Sequence, residues 1–257
     1  MAERVWERFL TEQDKQHLGG RDRRPVGFGD HPALLLIDLY RWVFGDGPEP
    51  LLDAVRNWPG SCGPAAWGAI PYIQTLLAAA REAGIPVIHL TGLEDALSGV
   101  AGWSDAAHHV PALQAPLDTA TADRRRRRYD IVDEVGPTAG EAVLRKAAPS
   151  AFWGTPLAAH LNHLGVDTII TCGESTSGCV RASVVEGCTY RYRMIVVEEC
   201  VFDRHEATHA INLFDMHQKY ADVISLAEAT EFLRSWKVRQ GNEAAAASGG
   251  MMPVAAG

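Results

Sequence analysis

The sequence has no apolar run that approaches the roughly 20 residues of a membrane-spanning helix. Its charged N-terminal stretch, MAERVWERFLTEQDKQHLGG, has no apolar core typical of a secretion signal. An excess of basic residues is also missing, since 24 lysines and arginines stand against 32 aspartates and glutamates, a formal net charge of −8. Binding to nucleic acid or to an anionic membrane favours a basic surface. We therefore expect neither partner, and we expect a cytoplasmic location.

Cysteine is scarce and shows no paired pattern. The five cysteines are an odd number and include no CxxC pair. A chain of 257 residues is long enough to form a core without cross-links, so we expect no disulfide framework. Cys172, Cys188 and Cys200 lie in apolar or strand-like segments and are interpreted as small buried residues.

Apolar strand-like runs alternate with helical stretches along most of the chain. The predicted strands are 33–38, 86–91, 141–146, 167–173, 193–200 and 222–226. The predicted helices between and after them are one near 66–83, one from about Thr155, one from about Gly178, one near 206–219 and one ending at about Trp236. Continuous apolar strands are typical of a sheet that is buried on both faces. The pattern predicts one α/β domain over 30–238, with a six-stranded parallel sheet between two helical layers.

Three segments fall outside this alternation. Residues 1–29 form an N-terminal arm with a predicted helix over 4–18, which either contacts another subunit or packs on its own domain. Residues 92–138, with the run Arg124–Arg128, have the length of a lid or a subunit contact. Residues 239–257 are small, polar or low in complexity, so we expect a disordered tail.

The residues that directly follow the predicted strands include an acid, an amine and a thiol. Asp38 ends the first strand, Lys146 ends the third, and Cys179 opens the helix after the fourth. Ligands of open parallel sheets bind at the carboxyl ends of the strands. A helix N-terminus and a neighbouring lysine both favour thiolate, so a lowered pKa is expected for Cys179. Asp38 is placed to accept the thiol proton and to deliver it to a leaving amine.

Each of these residues also has an ordinary structural interpretation. An aspartate at a strand end is often a cap, a lysine there is often solvated, and a cysteine in a loop of small residues is often inert. Their coincidence at one edge of the sheet favours the catalytic interpretation. No histidine is equally well placed, because His89 is the only one in a predicted strand and that strand has no thiol partner.

Three pieces of the chain resemble the signature regions of the isochorismatase-like cysteine hydrolase family: ALLLIDLYRWVF, VLRKAAPSAFWGTPLAAHL and TIITCGESTSGCVRASVVEG. The resemblance runs from about residue 30 to 235 and implies a six-stranded parallel sheet between helices. It implies a catalytic triad of Asp38, Lys146 and Cys179. It also implies a cis peptide bond between Glu174 and Ser175, with the amides of Ser175 and Cys179 as an oxyanion hole.

A metal centre is not expected. The Asp-x-His pattern of the metal-binding branch of this family is missing, since Leu39, Tyr40 and Arg41 follow Asp38. Other histidines imitate ligands in spacing, but no aspartate or cysteine joins them at a suitable distance along the chain. They are His108, His109, His205, His209 and His217. We therefore expect no metal and no other cofactor.

The substrate is expected to carry a carboxylate. Arg204 follows the fifth strand, where an arginine would pair bidentately with a carboxylate, unless it forms a surface ion pair with Asp203 or Glu206. The Asp-Arg pair and the LFD-x-x-x-KYADV stretch resemble the N-carbamoylsarcosine amidase and maleamate amidohydrolase branch. The remaining candidates for substrate contacts are Thr176, Trp42, Phe152 and Trp153. Thr176 either lines the pocket or holds the loop, and a plain core role is left open for Phe152.

The resemblance implies hydrolysis of a small acid that bears a carbamoyl or primary amide group. Cys179 would form a thioester with release of ammonia, and water would then hydrolyse it. A homo-oligomer, dimer or tetramer, is expected. Two alternatives remain: an isochorismatase that cleaves a vinyl ether without a cysteine nucleophile, and a non-catalytic oligomer that binds small carboxylates.

Overall fold

The structure is a computed structural model that describes residues 4–20, 24–93 and 118–249, without the side chains of 243–249. Trp103, His108 and His109 lie outside the described residues.

Six parallel strands form one sheet in the order β3-β2-β1-β4-β5-β6. The strands are β1 Pro32–Ile37, β2 Val87–Gly92, β3 Ala142–Lys146, β4 Thr168–Glu174, β5 Arg193–Phe202 and β6 Asp222–Ile224. The predicted α/β architecture is confirmed. One strand departs from the expected uniform burial, because β3 lies at the sheet edge and its side chains are largely half-buried or exposed.

Helices cover both faces of the sheet. They are α1 Glu12–Gly19, α2 Arg41–Phe44, α3 Leu51–Asn57, α4 Pro64–Ala83, α5 Thr119–Arg127, α6 Leu157–His163, α7 Arg181–Thr189, α8 Glu206–Lys219 and α9 Leu226–Gly249. Side chains of a strand alternate between the two faces. Leu34 and Leu36 of β1 therefore join the core under α4 and α9, whereas Leu35 and Ile37 join the core under α6, α7 and α8.

The direction in which the chain adds strands reverses between β1 and β4. From β1 the chain adds β2 and β3 on one side, and β4 to β6 follow on the other side. Ligands of doubly wound sheets bind at this reversal. Gly173 of β4 has φ 120°, and a Cβ there would lie 2.0 Å from the carbonyl oxygen of Ile37. Only glycine allows β1 and β4 to approach in this way.

The N-terminal arm packs on its own domain. The prediction of a single helix over 4–18 is wrong, because a short 3₁₀ turn at Glu7–Phe9 precedes α1. Thr11 separates them: its hydroxyl accepts from the amide of Asp14, and the Asp14 carboxylate accepts from the amide of Thr11. Such a reciprocal cap starts a new helix. Trp6 is buried in the core, with its ring 5.4 Å from that of His217.

The last helix is longer than the sequence pattern indicated. α9 continues past Trp236 to Gly249, into the stretch from residue 239 that was expected to be a disordered tail. The run Ala244–Ala247 explains this extension, since alanine is the best helix former. Residues 250–257 lie outside the description. None of the described helices is both long and apolar enough to cross a membrane.

The described part of residues 92–138 lies beside the carboxyl end of β1. The amide of Trp42 donates to the carbonyl of Arg128 (2.8 Å), and the amide of Val132 donates to that of Leu39 (3.0 Å). Arg125, Arg126 and Arg127 of α5 are exposed. A role as a lid or a subunit contact stays a prediction.

Candidate active site

The three residues that the strand ends singled out meet at the carboxyl edge of the sheet. The Nζ atom of Lys146 lies 2.7 Å from Oδ2 of Asp38 and 3.2 Å from Sγ of Cys179. Asp38 follows β1, Lys146 ends β3, and Cys179 lies between β4 and α7. Asp38, Lys146 and Cys179 are remote in sequence, but the ammonium group of Lys146 contacts both the carboxylate and the thiol.

The backbone at Asp38 turns sharply as β1 ends. Its φ of 57° lies in the left-handed region, which aspartate tolerates better than most residues. The amide still donates to Leu90 on β2 at 3.1 Å, so the residue remains anchored to the sheet. The side chain is fully buried, and this burial raises the pKa of the carboxyl, although the charge of Lys146 lowers it.

The ammonium group of Lys146 contacts both Asp38 and Cys179. Besides its ion pair with Asp38, Nζ donates to Sγ of Cys179 and to the carbonyl of Ala148, the latter at 3.1 Å. Burial by itself would lower the pKa of Lys146, but the neighbouring charges of Asp38 and Cys179 more than offset it and raise the pKa. The lysine is therefore a fixed positive charge.

The expected lowering of the pKa of Cys179 is wrong in direction. Burial of the thiol is the main cause that raises its pKa well above the usual value, and the charge of Asp38 adds to this, while Lys146 opposes it. Cys179 also lies in a single turn, Thr176–Val180, ahead of α7 and not in the α-helix itself. The proton of this thiol is therefore harder to remove than that of a solvent-exposed cysteine.

The loop before Cys179 is held from β5 and α8. Oδ2 of Asp203 accepts from both the amide (2.9 Å) and the hydroxyl (2.7 Å) of Ser177. The hydroxyl of Thr176 lies 2.8 Å from Nδ1 of His209, and the Thr176 side chain is fully buried. Thr176 thus helps to hold the loop, and its contact with substrate stays a prediction.

The start of this loop is compact. The peptide bond between Glu174 and Ser175 is cis. The carbonyl of Ser175 accepts from the amides of Gly178 (3.0 Å) and Val180 (3.1 Å). A Cβ at Gly178 would lie 2.5 Å from Oγ of Ser175, so a larger residue here would displace the Ser175 hydroxyl. The oxyanion hole formed by the amides of Ser175 and Cys179 stays a prediction.

Arg204 pairs with a buried carboxylate that sequence reasoning missed. Its Nη1 lies 3.2 Å from Oε1 of Glu174, and its Nη2 donates to the carbonyl of Gly60. The anticipated partner Asp203 instead accepts from the backbone amide of Arg204 at 2.8 Å. Glu174 is the last residue of the apolar strand TIITCGE. A lone acid at the end of such a strand, next to the triad loop, was the available signal.

The three aromatic candidates differ in their surroundings. A Cβ at Gly60 would lie 1.9 Å from Nε1 of Trp42, so the indole borders the carbonyl that holds Arg204. Phe152 is 4% exposed and packs against Tyr190 at 5.4 Å between ring centroids. It occupies the core, the role that the sequence left open. Trp153 is 59% exposed.

Two of the histidines that imitate metal ligands in spacing make contacts within the fold. His209 contacts Thr176, and Nδ1 of His217 accepts from the amide of Val223 at 3.1 Å. The described residues contain no group of three or more histidine, cysteine, aspartate or glutamate side chains able to hold a metal ion.

Comparison with known proteins finds a matching family model, similar enzymes and similar solved structures. The model of the Isochorismatase domain matches residues 32–228. A maleamate amidohydrolase of Pseudomonas putida is 36% identical over 209 residues, 81% of this chain and 90% of that protein. An N-carbamoylsarcosine amidase of an Arthrobacter species is 32% identical over 215 residues, 82% of this chain and 74% of that protein. The solved structure of a cysteine hydrolase from Pseudomonas syringae pv. phaseolicola has a TM-score of 0.67 at 21% identity, with 84% of this chain and 100% of that chain covered.

Proposed function

This chain is an amidohydrolase of the isochorismatase family, and from that premise we propose that it cleaves the C–N bond of a small amide that carries a carboxylate. The contact of Lys146 with both Asp38 (2.7 Å) and Cys179 (3.2 Å) is the observation that supports this proposal most directly. The reaction uses a thiol nucleophile, a carboxylate base and a fixed cation.

In the first half-reaction Asp38 takes the proton of Cys179 while the sulfur attacks the amide carbon. Removal of this proton needs a base in contact with the site, because burial and the charge of Asp38 raise the pKa of the thiol. The C–N bond then breaks as Asp38 delivers its proton to the departing nitrogen. Ammonia leaves, and the acyl group remains on Cys179 as a thioester. Lys146 compensates the negative charge that moves between Asp38 and Cys179.

In the second half-reaction water attacks the thioester with Asp38 as the base. The C–S bond breaks, the proton returns to Cys179, and the acid product leaves. The proposed oxyanion donors are the amides of Ser175 and Cys179, which would stabilise both tetrahedral intermediates. A vinyl ether hydrolase without a cysteine nucleophile, or a binding protein without catalysis, has no use for a thiol placed against Asp38 and Lys146.

We assign Arg204 as the residue that binds the carboxylate of the substrate. Its side chain is 28% exposed, whereas the carboxylate of Glu174 beside it is 8% exposed, so the guanidinium is the part of the pair that a ligand can reach. Two of the five N–H donors of a guanidinium bond to Glu174 and Gly60. Trp42 next to Gly60 offers an apolar surface to the rest of a small substrate.

A panel of amides tests the proposal. The acidic members are maleamate and N-carbamoylsarcosine, the substrates in the names of the two relatives, and each has a neutral counterpart in which a carboxamide replaces the carboxylate. Ammonia release is measured for all four compounds. We expect turnover of at least one acidic member at kcat/KM above about 10⁴ M⁻¹s⁻¹, the low end of typical enzymes. Turnover of the neutral members alone would contradict the proposed substrate class.

Replacement of Arg204 should act on KM and should do so selectively. A charge-assisted hydrogen bond contributes about 1.5–3 kcal/mol, so Arg204→Met is expected to raise KM for the acidic amides by about 10- to 100-fold. The KM for the neutral counterparts should change less than about threefold. Arg204→Lys keeps the charge but loses the planar guanidinium. Its KM for the acidic amides should lie between those of the wild type and of Arg204→Met. An equal rise for acidic and neutral amides would contradict the assignment.

A further inference from the structure

The ion pair of Glu174 and Arg204 joins a buried carboxylate to a cation that solvent can reach. Oε1 of Glu174 lies 3.2 Å from Nη1 of Arg204 at the carboxyl end of β4. This carboxylate is absent from the chemistry described above, because Asp38 serves as the base. It nevertheless holds the very guanidinium to which the substrate carboxylate is assigned.

Glu174 lies among as many carboxylates as cations, so its own ionised form gives the cluster a net negative charge. The titratable and charged groups that face it are Asp38 and Tyr40 after β1, Cys62 before α4, Lys146 at the end of β3, Cys179 before α7, and Asp203 and Arg204 after β5. Three carboxylates, including that of Glu174, thus face two cations. A substrate carboxylate on Arg204 would be a fourth negative group close to Glu174.

Glu174 is placed to relieve this repulsion by taking up a proton. Burial raises the pKa of Glu174 to about 7, and the charge of Asp38 adds to the effect, while Arg204 opposes it. Another negative charge on Arg204 would raise this pKa further and would also take over the cation that stabilises the ionised form. A protonated Glu174 still accepts a hydrogen bond from Arg204 through its carbonyl oxygen.

We propose that Glu174 is a positioning residue that holds Arg204 in the free enzyme and takes up one proton from solvent when the substrate carboxylate binds Arg204. The inference rests on the proposed function, since it requires an acidic substrate at Arg204. The site then keeps its net charge, because one incoming negative charge is matched by one proton. A neutral amide brings no charge and takes up no proton.

Proton uptake by Glu174 on substrate binding predicts how KM depends on pH. A ligand that binds together with a proton loses affinity as that proton becomes scarce. Below about pH 7, where Glu174 is already protonated, KM for an acidic amide should be flat. Above it, KM should rise by up to about tenfold per pH unit. The KM of the neutral counterpart should show no such rise.

Glu174→Gln is the matched variant, because glutamine keeps the shape and the hydrogen-bond acceptor but cannot titrate. The acidic amide of the panel with the highest kcat/KM and its neutral counterpart are assayed from pH 6 to 8.5 in both enzymes. We expect the rise of KM above pH 7 in the wild type and a flat KM in Glu174→Gln, only for the acidic amide. The pH profile of kcat is recorded in parallel: because the charge of Glu174 helps to raise the pKa of Cys179, its loss should shift that profile toward lower pH for the acidic and the neutral amide alike.

Calorimetry counts the proton directly and needs no turnover. The same acidic amide is titrated into Cys179→Ala at pH 8, in phosphate and in Tris, whose ionisation enthalpies differ. We expect uptake of close to one proton per ligand in Cys179→Ala and of none in Cys179→Ala with Glu174→Gln. A purely structural glutamate would give no difference between the two buffers.

The possible failures are distinguishable. Suppose acidic amides are hydrolysed and Arg204→Met raises their KM, but the KM of Glu174→Gln keeps the wild-type pH dependence. The inference is then wrong and the proposed function stands. If no acidic amide is bound or hydrolysed, both are wrong. If Glu174→Gln does not fold, uptake of less than about 0.2 proton by Cys179→Ala overturns the inference by itself.

Discussion

Cys179→Ala is expected to abolish ammonia release from every amide that the wild-type enzyme hydrolyses. Loss of a covalent nucleophile removes the pathway itself, and comparable losses in other hydrolases reach about 10⁶-fold. We expect kcat/KM to fall by at least about 10⁴-fold, while the binding of acidic amides, which depends on Arg204, persists. Ammonia assays and calorimetry on the same preparation separate the two properties.

Cys188→Ala is the matched control for this prediction. Cys188 lies in α7, is only partly buried, and has no place in the proposed chemistry. Its replacement should leave kcat/KM within about twofold of wild type. Cys179→Ser should be nearly as inactive as Cys179→Ala, because a serine hydroxyl is a far weaker acid than a thiol. Ammonia release by Cys179→Ala at the wild-type rate would refute the nucleophile assignment. Rapid acid quenching and intact-mass measurement should show the acyl group on Cys179 in the wild type.

Asp38→Asn is expected to have the second largest effect, with kcat lower by about 10³-fold. Asparagine tolerates the left-handed backbone at this position (φ 57°), whereas alanine would add strain to the loss of the carboxylate. The variant cannot take the proton of Cys179. It also leaves Lys146 buried without its counter-ion, which should lower the free energy of unfolding by about 3 kcal/mol. KM should change much less than kcat.

The pKa of the Cys179 thiol provides a specific test of Asp38→Asn. The charge of Asp38 helps to raise the pKa of Cys179, so Asp38→Asn should lower that pKa even as it removes turnover. Alkylation of Cys179 by iodoacetamide, measured against pH, follows the thiolate. A half-maximal rate at lower pH than in the wild type is the expected result. An unchanged or higher value would contradict the electrostatic role of Asp38.

The double variant Asp38→Asn with Lys146→Met separates stability from catalysis. It removes both members of a buried ion pair, so no uncompensated charge remains. We expect its unfolding free energy to recover toward that of the wild type while ammonia release stays absent. Recovery of activity in the double variant would show that Asp38 and Lys146 matter for folding alone.

Local patterns in the sequence were sufficient to predict the architecture. Continuous apolar runs such as ALLLID and DTIITCG, separated by helical segments, predicted six parallel strands whose ends differ from the observed ones by at most two residues. This works because burial on both faces requires apolar side chains at every strand position. The same patterns failed at Thr11 and near Trp236. A single capping residue divided one helix, and an alanine run prolonged another.

The candidate site was predictable as far as it depends on strand ends. Asp38, Lys146 and Cys179 were singled out by their positions after the strands and by the family resemblance, because parallel strands bring their carboxyl ends to one edge. For Thr176 and Phe152 the sequence left two roles open, since whether a side chain faces a pocket or the core depends on its three-dimensional neighbours. Both proved to be buried.

By itself, then, the sequence determined the fold class, the order of the elements and the three chemical groups at the sheet edge, because hydrophobic periodicity and strand ends are properties of neighbouring residues. Only the tertiary structure decided the pairing of Glu174 with Arg204 across 30 residues of chain, the packing of Trp6 on its own domain, and the direction of the pKa shift at Cys179. The reason is physical: distances between remote charges, and the loss of water around them, exist only once the chain has folded.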